Sequence, residues 1–288
     1  MNDIETRVLD AIDHEGMLAF LRELIAIPSI SGDETEAQVR MATQMESCGL
    51  SVYRWELDFD RLKLHPQFSM EAERHRGLGV VGTLGDEAGG RSLILNGHID
   101  VVPAGDPANW HYPPWEATLD TGRVYGRGAV DMKGGLCCAL YAAKALRDAG
   151  VRLAGRLIVE SVIGEEDGGV GTLAAILRGY RADGAIVVEP TQLILAPAQA
   201  GAQSFRVTIA GRAAHGALRE EGVSAIEKFL PIHSALMELE RARNSQVQDP
   251  LFGRYRLPYA LSIGRMQAGD WASSVPESLV FEGRYGVA

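Results

Sequence analysis

The sequence predicts an α/β fold, a doubly wound and mostly parallel sheet, followed by a second, α+β unit. Three observations carry this expectation. From Gly79 onward, short apolar runs at residues 80–84, 92–96, 156–163 and 185–188 each end in glycine or an acid, as buried strands do. Between them lie segments of helical period at 134–149, closed by Gly150, and at 171–178. Beyond Pro197 the pattern changes to strict alternation over 201–212, the mark of a half-exposed antiparallel strand, so a second unit starts there. At roughly 150 residues per domain, a chain of 288 residues has room for both.

The remaining elements follow in order. Residues 17–27 carry apolar side chains at helical spacing and stop before Pro28, which biases its neighbour away from helix. A second helix is expected over 33–48, with Val39, Met41, Ala42 and Met45 on one side and Gly49 as its left-handed cap. Residues 51–57 alternate as a strand, and 60–76 reads as a charged surface loop with solvated His65 and His75. Cys137 and Cys138 fall inside the 134–149 helix and are expected to be buried thiols acting as small hydrophobes. In the second unit, a helix over 224–243 is apolar at Ile226, Phe229, Leu230, Leu236, Met237 and Leu239, with His233 packed on the same stripe; Pro231 should kink it or mark its start. Strands are expected near 259–266 and 278–285.

Composition narrows the function. A net charge of −10 repels phosphate backbones and anionic lipid, which argues against nucleic acid and membrane surfaces as partners. No stretch approaches the ~18 apolar residues that span a bilayer, and the first residues have neither the basic nor the apolar part of a signal peptide, so a cytoplasmic location is expected. Three cysteines without a CxxC indicate neither a disulfide framework nor a thiolate zinc site.

In open α/β sheets ligands bind beyond the carboxyl ends of the strands, so the residues that follow each apolar run matter most. They are His98 and Asp100 after the second run, Glu165, Glu166 and Asp167 after the third, and Glu189 after the fourth; Asp131 precedes the 134–149 helix. Taken singly each has a structural reading, as a helix cap or a solvated face. Together they deliver an imidazole and several carboxylates to one edge, where their mutual repulsion calls for a divalent cation. His98 suits a neutral imidazole ligand, and Asp100, two residues on, can accept its other ring N–H. Asp131 is a candidate bridge between two metals. Of Glu165 and Glu166, one can face the metals and the other a water as general base, while Glu189 would complete the first metal. The glycine-rich 164–171 stretch lacks the Gly-Lys-Ser/Thr ending of a phosphate loop.

These residues resemble the dinuclear zinc amidohydrolases that include acetylornithine deacetylase, succinyl-diaminopimelate desuccinylase, aminoacylase and glutamate carboxypeptidase. The resemblance runs through Gly97-His98-Ile99-Asp100, residues 110–114, Gly126-Arg127-Gly128-Ala129-Val130-Asp131-Met132-Lys133-Gly134-Gly135, Gly164-Glu165-Glu166, Glu189-Pro190 and Gly211-Arg212-Ala213-Ala214-His215-Gly216. It implies metal ligands at His98, Asp131, Glu166 and Glu189, with Asp131 the bridge, Asp100 the orienter of His98 and Glu165 the general base. It also implies a cis bond after Asp131, and two divalent ions, zinc first, with cobalt or manganese as alternatives. Residues 1–197 would be the catalytic domain and 198–288 part of an inserted lid that forms a homodimer, in which His215 reaches into the neighbouring subunit's active site to steady the oxyanion. The implied activity is hydrolysis of an N-acyl amino acid or a related N-acyl amine, with a carboxypeptidase or dipeptidase as the alternative.

Two stretches depart from the pattern that holds a substrate carboxylate in relatives, Trp271-Ala272-Ser273-Ser274-Val275-Pro276 and Gly283-Arg284-Tyr285-Gly286. The resemblance also places residue 288 inside the lid, before a returning segment that brings a last histidine to the second metal. None of His14, His65, His75, His111 or His233 stands in a matching motif, so the second site is expected to be incomplete in this chain. A reading from a different class follows from that: a truncated, non-catalytic fragment that binds metal or dimerises.

Overall fold

The computed structural model describes residues 3–85, 89–196 and 199–287. Two compact units emerge, Met1–Ile194 and Leu195–Ala288; the boundary expected between 197 and 198 falls outside the described residues. No helix among the described residues is long and apolar enough to cross a membrane.

In the first unit the elements run α1 (Asp3–Asp10), α2 (His14–Ala26), α3 (Thr35–Ser47), β1 (Ser51–Glu56), α4 (Phe59–Leu62), β2 (Leu78–Leu84), β3 (Leu93–His98), β4 (Thr118–Asp120), β5 (Arg123–Tyr125), α5 (Lys133–Asp148), β6 (Leu157–Val162), α6 (Val170–Leu177) and β7 (Gly184–Val187). Five strands form one sheet in the order β1-β2-β6-β3-β7, and β4 pairs with β5 as a separate ribbon. The pairs β3–β6 and β3–β7 are parallel, whereas β2 is antiparallel to both its neighbours, β1 and β6. Four strands therefore point one way and β2 alone runs against them. The carboxyl ends of β3, β6 and β7 consequently open on the same edge.

The central strands β2, β6 and β3 are buried on both faces, whereas the edge strands β1 and β7 are largely exposed. Phe20 and Leu24 of α2, Met41 and Met45 of α3, and Leu136 and Leu140 of α5 join Val80, Leu95 and Val159 in the main core. Val81, Ile94 and Ile158 form a second cluster with Trp55, Tyr180 and Ala182.

The expected helices are present, but in this unit two of their faces and one loop differ from expectation. In α3 the buried positions are Ala37, Gln38, Met41, Ala42 and Met45, and Val39 falls off that stripe and is exposed. Cys137 is buried in α5 as expected, while Cys138, one residue and about 100° further round the helix, faces solvent. The charged 60–76 stretch is not wholly a surface loop: Leu62 and Arg74 are buried in it.

The second unit contains β8 (Gly201–Ala210), α7 (Ala225–Asn244), β9 (Leu261–Ala268) and β10 (Ser278–Val287). The three strands form an antiparallel sheet in the order β8-β10-β9, with Ile209, Leu279 and Phe281 packed against Ala225 and Phe229 of α7. Pro231 lies inside α7 rather than at its start. The packed stripe of that helix is Ala225, Phe229, Ile232 and Leu236, at i, i+4, i+7 and i+11. That spacing leaves Ile226, Leu230 and Leu239 exposed; His233 is exposed too, although its ring lies 5.6 Å from that of Phe229 on the stripe.

Gln38 ties α3 to the sheet. Its fully buried amide donates to the carbonyls of Leu78 (2.9 Å) and Ser161 (2.8 Å) and accepts the Ser161 hydroxyl at 2.6 Å. Replacing it by methionine keeps the volume and strands these groups. We expect Gln38→Met to cost about 1–3 kcal/mol for each group left unsatisfied, read as a lower urea midpoint at unchanged slope.

Candidate metal centre

The site grows from strand ends. β3 closes on His98, which is 1% exposed, and Asp100 follows it fully buried. His98 Nδ1 donates to the main-chain carbonyl of Asp100 at 2.9 Å. The Asp100 carboxylate, expected from the sequence to accept that N–H, has its nearer oxygen 3.6 Å away. The carboxylate is engaged elsewhere: Oδ1 accepts the amide of Glu165 and Oδ2 the amide of Glu166, both at 3.2 Å, with the Ser31 hydroxyl at 3.3 Å. Asp100 thus orients the imidazole through its backbone and the glutamate pair through its side chain.

With Nδ1 donating, Nε2 of the neutral ring presents a lone pair. Facing it are Asp131 Oδ1 at 3.2 Å, Glu189 Oε1 at 3.6 Å and Glu165 Oε2 at 3.8 Å. A lone pair opposed to carboxylate oxygens is favourable only with a cation between them, a proton or a metal ion. Two overlapping groups offer ligand atoms within 4.8 Å of one another, His98 with Glu165 and Glu189, and His98 with Asp131 and Glu166. All five of these side chains were singled out in the sequence. Among the described residues His98 is the one histidine of these groups.

Electrostatics carries the same message. Burial raises the pKa of Glu165 and Glu166, opposed by His98 and reinforced by Asp131. Burial likewise pushes Glu189 up to about 7, with Asp131 and Glu165 adding to it against the pull of His98. For His98 burial acts downward, but the charges of Asp100, Glu165 and Glu189 outweigh it and the pKa is raised. These shifts mark a cluster of groups that a divalent cation would relieve. One imidazole with an available lone pair and four carboxylates is a donor set that fits zinc or a similar ion.

The Asp131 turn is held from below. The Asp131–Met132 peptide is cis, and Lys133 opens α5 with its side chain fully buried, Nζ donating to the carbonyls of Leu24 (2.7 Å) and Ile27 (2.9 Å) at the end of α2. Burial lowers its pKa to about 7. Lys133 is a support beyond those expected from the sequence, although a lysine heading an apolar helix is a signal of one. Arg74 and Ser31 are likewise additions, and no local pattern marks them.

His215 belongs to the second unit. It precedes a 3-10 turn at Gly216–Glu221, and its Nδ1 accepts the amide of Ala217 at 3.1 Å, which puts the proton of the neutral ring on Nε2. Its backbone pairs with Ser274.

An imidazole and carboxylates gathered at the carboxyl edge of an α/β sheet make a candidate centre for a divalent metal ion. Residues 94–249 match the family model described as Peptidase family M20/M25/M40, and the chain belongs to that family. Over 240 residues it is 35% identical to the N-formyl-4-amino-5-aminomethyl-2-methylpyrimidine deformylase of Halalkalibacterium halodurans, covering 79% of this chain and 53% of that protein. Over 208 residues it is 32% identical to a probable succinyl-diaminopimelate desuccinylase of Staphylococcus aureus, covering 72% of this chain and 50% of that one. The chain spans about half the length of the curated relatives it matches. Among solved structures, the di-peptidase Dug1p of Saccharomyces cerevisiae matches with a TM-score of 0.74 at 15% identity, over 98% of this chain and 72% of that one. The metallo-carboxypeptidase Sso-CP2 of Sulfolobus solfataricus matches at 0.67 and 18%, over 94% and 71%. At these identities the structural likenesses establish the fold.

The raised carboxyls set a pH dependence. Glu189 binds its proton more tightly in the folded chain than at its ordinary 4.5, so the folded state holds more protons between about 4.5 and 7 and loses stability as pH rises through that window. The raised His98 acts in the same direction. Protein stripped with a chelator is therefore expected to melt lower at pH 7.5 than at pH 5. Added zinc should raise the melting temperature more at pH 7.5, as followed by differential scanning fluorimetry.

Proposed function

We propose that this protein hydrolyses the amide bond of an N-acyl amine, an N-acyl amino acid or a related compound, using divalent metal held at the β3, β6 and β7 ends. The observation that supports this most is the lone pair of His98 Nε2 facing three carboxylates at 3.2–3.8 Å. In this reading His98, Glu189 and Asp131 hold the first ion, and Asp131 and Glu166 the second. Zinc is the first choice of metal, cobalt or manganese the alternatives. Bound there, the ions would lower the pKa of a water and polarise the substrate carbonyl.

The chain's own residues do the rest. Glu165, whose carboxyl titrates above the usual range, takes the proton of the attacking water and passes it to the leaving amine nitrogen. Asp100 holds the amides of Glu165 and Glu166 and the ring of His98 in register. In the homodimer of this reading, His215 of one chain, with its proton on Nε2, is the donor for the oxyanion that develops in the neighbouring chain's site. The products are a carboxylic acid and a free amine.

Two relatives named for removal of a formyl and a succinyl group from nitrogen favour a deacylase. A dipeptidase or carboxypeptidase is the second reading, prompted by the solved structures of the same fold. A homodimer through the second unit is part of the proposal, supported by the exposed Ile226, Leu230 and Leu239 of α7.

Three experiments test this. Turnover of N-formyl, N-acetyl and N-succinyl amines should exceed that of dipeptides, and Glu165→Gln should lower kcat by about 10²–10⁴-fold; full activity in that variant rejects the assignment of the base. In this reading Asp131 and Glu166 are the ligands of the second ion among the described residues, so metal analysis after dialysis should find one retained equivalent per chain. Two tightly held equivalents would contradict that account.

A further inference from the structure

Behind the glutamate pair lies a buried ion triad that the reaction itself does not use. Arg74 has no exposed side-chain surface, and the side chains of Glu34 and Asp167 are 2% and 8% exposed. Its guanidinium forks between them: Nε donates to Glu34 Oε1 at 3.0 Å, while Nη1 and Nη2 donate to the two oxygens of Asp167 at 2.7 and 2.9 Å. Asp167 is saturated further by the amides of Glu71 (3.1 Å) and Ala72 (2.7 Å), and Glu34 by the amide of Gly32 (2.8 Å).

Asp167 follows Glu165 and Glu166 directly in a turn built on unusual backbone. Gly164 and Gly168 have φ of +65° and +135°, and a Cβ on Gly168 would lie 2.6 Å from the Ser69 carbonyl. A Cβ on Gly164 would stand 3.0 Å from Arg74 Nη2. The turn is therefore pressed onto the 69–76 segment and pinned there by Arg74. From the other side Asp100 grips the Glu165 and Glu166 amides, and Ser31, three residues before Glu34, reaches the same Asp100 carboxylate at 3.3 Å. The two glutamates are thus held between Asp100 and the triad.

A buried ion pair is weak evidence for stability, because desolvation offsets most of its Coulomb energy and apolar residues of equal volume often do better. What a bidentate guanidinium supplies is geometry. We propose that Arg74 is a positioning residue, acting through Asp167 to fix the 164–169 turn so that Glu165 and Glu166 face His98 and the metal position. This rests on the metal-centre reading above.

Positioning and simple charge make opposite forecasts. Removing a nearby cation should by itself tighten binding of a divalent ion, whereas loss of positioning should weaken it. Lysine keeps the charge but cannot fork to two carboxylates. In zinc titrations by calorimetry, well below the melting temperature, Arg74→Lys and Arg74→Met are both expected to bind at least about tenfold more weakly than the parent. Hydrogen exchange of metal-free protein, followed by mass spectrometry, should show faster exchange in residues 164–169 of Arg74→Lys. If Arg74→Met does not fold, the Arg74→Lys arm decides. Parental or tighter zinc affinity in folded Arg74→Lys, or unchanged exchange in 164–169, overturns the proposal. A parent that binds no zinc would instead reject the metal-centre reading, and the exchange arm would still decide the role of Arg74.

Discussion

Like charges crowded at the end of a sheet are the constraint on which the first unit turns. Three strand ends and one helix start deliver His98, Asp131, Glu165, Glu166 and Glu189 to within coordinating reach, and nothing in elementary electrostatics holds such a set together unaided. Burial is the chief cause of the raised pKa values of Glu165, Glu166 and Glu189, and the neighbouring carboxylates add to it. A divalent cation converts the repulsion into ligation, so the same crowding that burdens the bare chain is what would give the site its affinity.

Such a set keeps its shape only if the backbone beneath it is fixed by other means. Three buried polar side chains do this from different directions. Lys133 closes the open carbonyls at the end of α2 and so ties that helix to the start of α5 beside Asp131. Asp100 joins the end of β3 to the turn after β6. Gln38 stitches α3 to β2 and β6. Each replaces a lost water hydrogen bond with a directed one in a place where an unsatisfied group would be costly.

Much of this was legible in the sequence, for reasons that are local. Strands β2, β3, β6 and β7 are short apolar runs with glycine or acid at their ends, and α3 and α5 close at Gly49 and Gly150, both with positive φ. The gathering of His98, Asp131 and the glutamates follows from strand direction once the sheet is mostly parallel. What was not legible depends on distance along the chain or on the angular width of a helix face. Arg74 meets Glu34 and Asp167 from 40 and 93 residues away, and no neighbouring residue announces it. Val39, Cys138 and His233 lie one step round the helix from positions that are buried or half-buried, and composition cannot tell how wide a stripe the partner surface will cover.

Asp100 has a mechanical consequence. Its carbonyl fixes the ring of His98 and its carboxylate fixes the amides of Glu165 and Glu166, so the ends of β3 and β6 share a single reference point. Strands of a sheet can slip or fan slightly against one another as the protein breathes. A shear between these two would carry the imidazole and the glutamates along together, and the gap in which an ion sits would hold its dimension while the sheet around it moved.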